Sequence, residues 1–152
     1  MSVAFRRESD DEHLEPKFEL PIPPGPNLVT ARGLALIGAR VEALEAELAG
    51  LSEETGIKRV KRDLRYWRTR QATAQLMPLP EGGAVAFGST VTFRMGGKAR
   101  TITLVGDDEA DPAAGLLSFT APLSRALMGA EVGDEIDFGG KAGAIVVLAV
   151  GG

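Results

Sequence analysis

Two regularly spaced apolar series in the first half of this chain constrain its fold more than any other feature. The first comprises Leu34, Ile37, Val41, Leu44, Leu48 and Leu51, and the second comprises Ile57, Val60, Leu64, Trp67, Gln71 and Ala74. Each series repeats with 3-4-3-4-3 spacing, which draws one narrow stripe along an α-helix, as in a coiled-coil seam. Neither helix can bury its own stripe, so the sequence predicts two helices that pack together.

The short segment between the two series predicts that the helices are antiparallel. Residues 50–56 contain Gly50 and Gly56 and form a turn rather than a long connection, as in a helical hairpin. Each helix would hold about 20 residues and be roughly 30 Å long. Thr30 is the predicted N-cap, and Pro78 and Pro80 end the second helix. The alternative is that two short helices pack separately on the rest of the chain.

The flanking regions divide the chain into three parts and predict an α+β protein. Residues 1–29 mix charges with five prolines and lack apolar periodicity, which is typical of a flexible acidic tail, with packed structure only from about Asn27. Residues 30–78 form the antiparallel coiled-coil hairpin, and residues 84–152 change to strand-like periodicity. Predicted strands cover residues 85–93, 99–105, 116–119, 135–138 and 144–150, with a hairpin turn at 95–98 and one short helix at 122–128 closed by Gly129.

Composition excludes several classes of function. The chain has no cysteine and one histidine, His13, so disulfides, thiolate metal sites and histidine-based catalysis are not expected. No apolar run approaches the roughly 20 residues that span a bilayer, and the N-terminal residues lack the apolar stretch of a signal peptide. We therefore expect a monomeric cytoplasmic protein without a membrane partner.

Charge is distributed unevenly along the chain. The net charge of -4 conceals a basic stretch at residues 58–70, in which Asp63 is the single acid. The bases of this stretch are Lys58, Arg59, Lys61, Arg62, Arg65, Arg68 and Arg70. A basic stretch this dense favours an anionic partner, and the alternative is a solvated helix surface without a ligand.

Four sequence blocks in the last part of the chain resemble one known family. They are FGSTVTF at residues 87–93, LVGDDEAD at 104–111, APLSRALMG at 121–129 and VGDEIDF at 132–138. In this order they resemble the C-terminal domain of the bacterial Gre transcript-cleavage factors, and the helical hairpin precedes them as it does in that family. The resemblance implies an FKBP-like β-sheet domain wrapped on one short helix, with bacterial RNA polymerase as the partner.

The resemblance also implies how such a protein acts. Gre factors are accessory proteins and not enzymes: their coiled coil enters the secondary channel of RNA polymerase, where acidic residues at its tip help to hold Mg²⁺ at the polymerase's own active centre. No cofactor of its own is expected for this chain, beyond Mg²⁺ shared with the polymerase. The family tip reads roughly Asp-Leu-Ser-Glu-Asn, and residues 50–54 here read GLSEE. Glu53 and Glu54 are therefore the candidate catalytic carboxylates, although Gly50 replaces the aspartate.

Two observations favour a different interpretation of the tip. Ser52 would be a good N-cap for the second helix, and Glu53 and Glu54 would then lie at the positive end of its dipole. The hairpin is also one to two heptads shorter than the family's usual coiled coil, and this deficit would leave the tip roughly 10–20 Å short of the metal.

Two charged segments are candidate contact surfaces. The loop at 106–111 resembles the family's polymerase-docking loop and carries Asp107, Asp108, Glu109 and Asp111. Its carboxylates repel one another and favour a cationic partner, whereas a solvated turn is the alternative and the spacing of a calcium loop is absent. On the second helix, Lys58, Arg59, Arg62 and Arg65 are predicted to contact the nascent RNA 3′ end or the channel wall. Tyr66 is the one aromatic of that helix placed to stack on a base.

Three functions remain open from the sequence. The first is a transcription elongation factor that binds at the secondary channel, modulates elongation and stimulates cleavage of backtracked RNA. The second is a non-cleaving Gre-like or Rnk-like regulator that competes for the same polymerase site. The third is a DNA- or RNA-binding module that acts independently of polymerase, for which the basic helix is the only support.

Overall fold

The computed structural model describes residues 19–152. The first 18 residues of the acidic tail predicted at 1–29 lie outside the described residues. The first half contains β1 (Leu28–Val29), α1 (Ala31–Ala49), α2 (Glu54–Thr73) and β2 (Gln75–Leu76). The second half contains β3 (Thr90–Met95), β4 (Lys98–Val105), β5 (Leu116–Ser118), α3 (Pro122–Leu127), β6 (Glu135–Phe138) and β7 (Lys141–Gly151), with short 3-10 turns at Asp107–Glu109 and Pro112–Ala114. The predicted α+β class is confirmed.

Helices α1 and α2 form the predicted antiparallel hairpin. Val41 and Leu44 of α1 pack on Val60 and Leu64 of α2, and Leu48, Leu51 and Trp67 extend this cluster. Arg59 reaches Glu47 across the hairpin while Trp67 lies under Arg40, a register that only antiparallel helices allow. The hydroxyl of Thr30 accepts a hydrogen bond of 2.9 Å from the Gly33 amide, which confirms the predicted N-cap.

The second half is a five-stranded sheet in the order β5-β4-β3-β7-β6. Its pairs are antiparallel except β4 with β5, which is parallel. Helix α3 covers one face, where Leu127 joins Val91, Phe93, Leu104 and Ile145 in the core. The predicted turn at 95–98 is present and has two glycines at positive φ, 60° and 77°, as a two-residue hairpin loop requires.

Several predicted boundaries need correction. The strand predicted at 85–93 begins only at Thr90, because Val85 pairs its backbone with Gly129 and Ala130 and Gly88 turns the chain at φ 89°. The tail predicted to reach residue 29 ends earlier, since β1 pairs in parallel with β2. This small sheet ties the entry of α1 to the exit of α2.

The seam predicted in α2 is also wrong at its C-terminal end. Gln71 is exposed, and Arg70 is buried instead. None of the helices within residues 19–152 has the length and apolar character needed to cross a membrane.

Candidate functional site

The acidic loop at 106–111 lies where the sheet domain meets the hairpin. Asp108 is one of its two enclosed carboxylates, with a side chain only 6% exposed. One oxygen of Asp108 accepts a 2.5 Å hydrogen bond from Nε of Arg70, and the other accepts one of 2.5 Å from the hydroxyl of Tyr66. Arg70 is itself 2% exposed, so this is a buried ion pair between the two halves of the protein.

Asn27 completes the environment of the Arg70 guanidinium. Its side-chain oxygen accepts a 2.8 Å hydrogen bond from Nη2 of Arg70, and its amide nitrogen donates to the Arg70 carbonyl at 2.8 Å. Asn27 is 5% exposed. A buried charge is tolerated when its donors and acceptors are matched, and here Asn27, Asp108 and the more distant Asp107, at 3.8 Å, supply that match.

Glu109 makes the second contact between the loop and the hairpin. Its carboxylate accepts hydrogen bonds from the hydroxyl of Thr30 at 2.6 Å and from Nη1 of Arg32 at 2.9 Å. The side chain is 4% exposed and lies over the first turn of α1, where a carboxylate also benefits from the helix dipole. A Cβ at Gly33 would lie 2.8 Å from Oε1 of Glu109, so the fit depends on this glycine.

The other two carboxylates of the loop are more accessible. Asp107 accepts hydrogen bonds from the hydroxyls of Ser118 at 2.5 Å and Thr120 at 3.1 Å, and its side chain is 18% exposed. Asp111 lies on the surface. The loop approaches β1 so closely that a Cβ at Gly106 would meet the carbonyl oxygen of Leu28 at 2.3 Å.

This geometry changes the interpretation of the acidic loop. Two of its four carboxylates already have a cationic partner within the same chain. Asp108 forms an ion pair with Arg70, and Glu109 forms one with Arg32. A docking role for the loop stays a prediction. Asp107 and Asp111 are the members with surface available to an external partner.

The hairpin tip differs from the acidic loop in its exposure. Helix α1 ends at Ala49, and α2 begins at Glu54. Glu53 and Glu54 are both exposed, and the only ion pair of the tip within residues 19–152 is a 3.9 Å contact from Glu54 to Lys58. The predicted N-cap at Ser52 is wrong, since Glu53 occupies that position and makes no side-chain capping bond. Among the described residues, no three potential metal ligands come together.

Apart from the buried Arg70, the basic residues of α2 fall into two groups. Arg59 and Arg68 flank the seam and pair with Glu47 and Glu45 of α1. Lys58, Lys61, Arg62 and Arg65 lie on the side turned away from the seam, a separate stripe that we call the basic face. The four predicted RNA-contact residues are therefore divided, because Arg59 belongs to the first group and the other three to the basic face.

Tyr66 was predicted to be placed for stacking on a base, but its side chain packs within the fold. Its hydroxyl donates to Asp108 and its ring packs edge-on against Trp67 at 5.1 Å between centroids. Burial, followed by the hydrogen bond to Asp108, raises the pKa of the Tyr66 phenol well above its ordinary value. Tyr66 is thus part of the contact between the hairpin and the sheet domain.

Sequence reasoning missed the two central residues of that contact, Arg70 and Asn27. Arg70 belongs to a stretch of seven bases, and the sequence predicted that it lies on the same basic surface as the others. A signal was available in its position three residues after Trp67 of the seam, which turns it toward the hairpin interior. Asn27 follows a proline-rich segment that has no periodicity, so no local pattern indicated its burial.

Comparison with known proteins identifies the family. Residues 79–150 match the family described as transcription elongation factor, GreA/GreB, C-term. Transcription elongation factor GreA of Desulfovibrio desulfuricans is 42% identical over 77 residues, which is 48% of this chain and 48% of that protein. The GreA of Nitratidesulfovibrio vulgaris strain Hildenborough is 36% identical over 109 residues, 67% of this chain and 66% of that protein. The chain thus spans about half to two thirds of the curated relatives it matches.

Two solved structures match most of this chain, with TM-scores below 0.5. The prokaryotic transcription elongation factor GreA/GreB from Nitrosomonas europaea has 25% identity and a TM-score of 0.40, covering 85% of this chain and 100% of that one. GreA factor homolog 1 of Thermus thermophilus has 18% identity and a TM-score of 0.39, covering 84% and 100%. The predicted helical hairpin followed by a β-sheet domain with one short helix is confirmed. The chain belongs to the GreA/GreB family of transcription elongation factors.

Proposed function

We propose that this protein is a transcription elongation factor that binds bacterial RNA polymerase at its secondary channel and modulates elongation in the cytoplasm. The observation that carries the proposal is a two-helix rod with solvent-exposed carboxylates at its free end, Glu53 and Glu54. The other end of the rod is fixed to the sheet domain through the buried pair of Arg70 and Asp108. Such a rod can carry acidic groups into a narrow channel without bending.

Binding is tested by capture of purified core polymerase on the immobilised full chain. We expect retention of polymerase, and Asp111→Lys should weaken it if the loop docks on a basic surface, because Asp111 is exposed. Asp108→Lys is unsuitable for this purpose, since it would break the buried pair with Arg70. Glu81→Lys provides a control with the same charge change at another exposed site. Equal retention of Asp111→Lys and Glu81→Lys would contradict docking through the loop.

Cleavage of backtracked RNA is the finer part of the proposal. If the tip reaches the active centre, Glu53 and Glu54 would provide the hard oxygen ligands that Mg²⁺ prefers. Stalled, backtracked complexes should then shorten their RNA on addition of the protein, and the double variant Glu53→Ala/Glu54→Ala should abolish this. The test is informative because neither carboxylate supports the fold.

A non-cleaving regulator is the second candidate, and the tip sequence favours it. Gly50 lacks a side chain where the family tip carries an aspartate, and the helices of the hairpin have only 19 and 20 residues. In that case the protein would bind polymerase and inhibit rescue by a cleavage-competent Gre factor, without shortening RNA itself. Competition between the two proteins in the same cleavage assay distinguishes the candidates.

A further inference from the structure

One contact at the start of the described chain points to an occupant for the basic face of α2. Both oxygens of the Glu19 carboxylate accept hydrogen bonds from the Arg65 guanidinium, one from Nε and one from Nη2 at 2.8 Å. The hydrogen bond from Arg65 lowers the pKa of Glu19. Both side chains are 56% exposed, so this acid from the N-terminal segment pairs with a base on an open helix surface.

The described segment from Glu19 to Asn27 runs along α2. Glu19 lies against Arg65, and eight residues later Asn27 bonds to Arg70 and Thr73. The segment therefore runs in the same direction as α2. Four prolines within it, at positions 21, 23, 24 and 26, favour an extended course. Glu19, the first described residue, therefore lies nearer the hairpin tip than Asn27 does.

The helix surface on that side is the rest of the basic face. Arg62, Lys61 and Lys58 precede Arg65 by three, four and seven residues and share its side of the helix. Arg62 is only 15% exposed although it points away from the seam. Its Nη2 donates to Asp63 at 3.4 Å, but its Nε has no hydrogen-bond partner among the described residues. A buried guanidinium nitrogen without an acceptor is costly, so this position favours an added carboxylate.

The sequence before Glu19 has the matching charge and length. Residues 8–15, which we call the acidic segment, contain Glu8, Asp10, Asp11, Glu12 and Glu15 and no lysine or arginine. Eleven residues separate Glu8 from Glu19, an extended reach of roughly 35–40 Å. Lys58 and Arg65 are seven positions apart on the helix, a rise of only about 10 Å. The acidic segment can therefore follow the whole basic face.

We infer that the acidic segment binds the basic face of α2 within the same molecule and continues the contact that Glu19 begins. It occupies the surface that an RNA backbone or another polyanion would use, so such a ligand must displace it. The inference concerns the isolated chain and does not depend on polymerase binding, and the two can fail separately.

Paramagnetic relaxation enhancement tests the inference in the full chain. The protein has no cysteine, so Ser9→Cys provides a single attachment point for a nitroxide within the acidic segment. We expect intramolecular broadening of the amide signals of Lys58, Lys61 and Arg62. The broadening should disappear in 1 M NaCl, where the Debye length falls to about 3 Å, and in the variant Asp10→Asn/Asp11→Asn/Glu12→Gln.

A matched variant controls for overall charge. Glu81→Gln/Glu131→Gln/Glu135→Gln also removes three negative charges, from exposed positions of the sheet domain, and should leave the broadening unchanged. Absence of broadening on α2 would overturn the inference, as would broadening that survives neutralisation of residues 10–12. Loss of the signal in both triple variants would also overturn it, since the effect would then follow net charge and not the acidic segment.

Discussion

The acidic loop and the hairpin tip are both rich in carboxylates, yet the fold uses them in opposite ways. In the loop, Asp108 and Glu109 are 6% and 4% exposed and bond to groups of the hairpin. At the tip, Glu53 and Glu54 are exposed, and their only ion pair in the described part of the chain is a long one within α2. The comparison shows that the density of acids in a sequence does not indicate whether they serve the fold or remain available to a partner.

The difference follows from what lies opposite each segment. The loop approaches β1 and both helices closely, so its carboxylates leave water and require partners, which Arg70, Tyr66, Thr30 and Arg32 supply. The residues from Ser52 to Thr55 are all exposed, so the carboxylates of the tip keep their hydration. Removing a side chain should therefore be costly at the loop and nearly without effect on stability at the tip.

The largest effect is expected at the buried ion pair. Arg70→Met keeps much of the side-chain volume but leaves Asp108 buried without its cation, which typically costs about 3–5 kcal/mol. Arg68→Met is the matched control, because Arg68 is 54% exposed and its pair with Glu45 should contribute about 0–1 kcal/mol. Urea unfolding of the two variants measures both values, and equal losses would contradict the distinction between buried and exposed pairs.

Two glycines of α1 should respond in opposite directions to the same substitution. Gly33→Ala brings a Cβ to within 2.8 Å of Oε1 of Glu109, an atom held by Thr30, so a loss of about 1–2 kcal/mol is expected. Gly38→Ala makes an ordinary contact of 3.6 Å with Gln71 and should gain up to about 1 kcal/mol from helix propensity. Thermal unfolding compares them, and stabilisation by both would show that the loop yields easily at Gly33.

The hairpin and the sheet could be predicted because their signals are local. The 3-4 spacing identifies Val41, Leu44, Val60 and Leu64 as a seam, and the glycines at 96 and 97 identify a tight turn. The charge of the acidic loop indicated a need for cations, but the sequence placed them on an external partner, whereas Arg70 and Arg32 of the same chain supply two of them. The sequence could not indicate that Asp108 finds its cation 38 residues away, since that pairing exists only once the hairpin and the sheet domain have packed together.

The strand predicted at 85–93 is wrong over residues 85–89 for a related reason. Its alternation of Val85, Phe87 and Ser89 is real, and all three are buried. The chain turns at Gly88, where φ is positive. The hydroxyl of Ser89 accepts a hydrogen bond from the Ala86 amide and closes this turn. Burial on alternate residues therefore arose from a turn packed under α3, which a period of two cannot distinguish from a strand.

Titration of the single tyrosine offers a direct measure of the loop contact. The folded-state pKa of Tyr66 is raised above its unfolded value of 10.0 by burial and by Asp108, so the folded protein holds the phenolic proton more tightly. The resulting stability is fully present below pH 10 and is lost as pH rises above it. Tyrosinate absorbance should titrate above pH 10.0 in the native protein and near that value in urea, and Asp108→Asn should lower the native midpoint. Identical native and urea midpoints would contradict the contact.

The smallest effect is expected at the tip, and it completes the comparison. Glu53→Ala/Glu54→Ala removes two exposed carboxylates, of which Glu53 makes no capping bond and Glu54 makes only a 3.9 Å ion pair. Exposed substitutions of this kind usually change the free energy of unfolding by no more than about 0.5 kcal/mol. Urea unfolding should therefore coincide with that of the unmodified chain, so any change in RNA cleavage or polymerase competition reports on the carboxylates themselves. A loss as large as that of Arg70→Met would mean that the tip, like the loop, serves the fold.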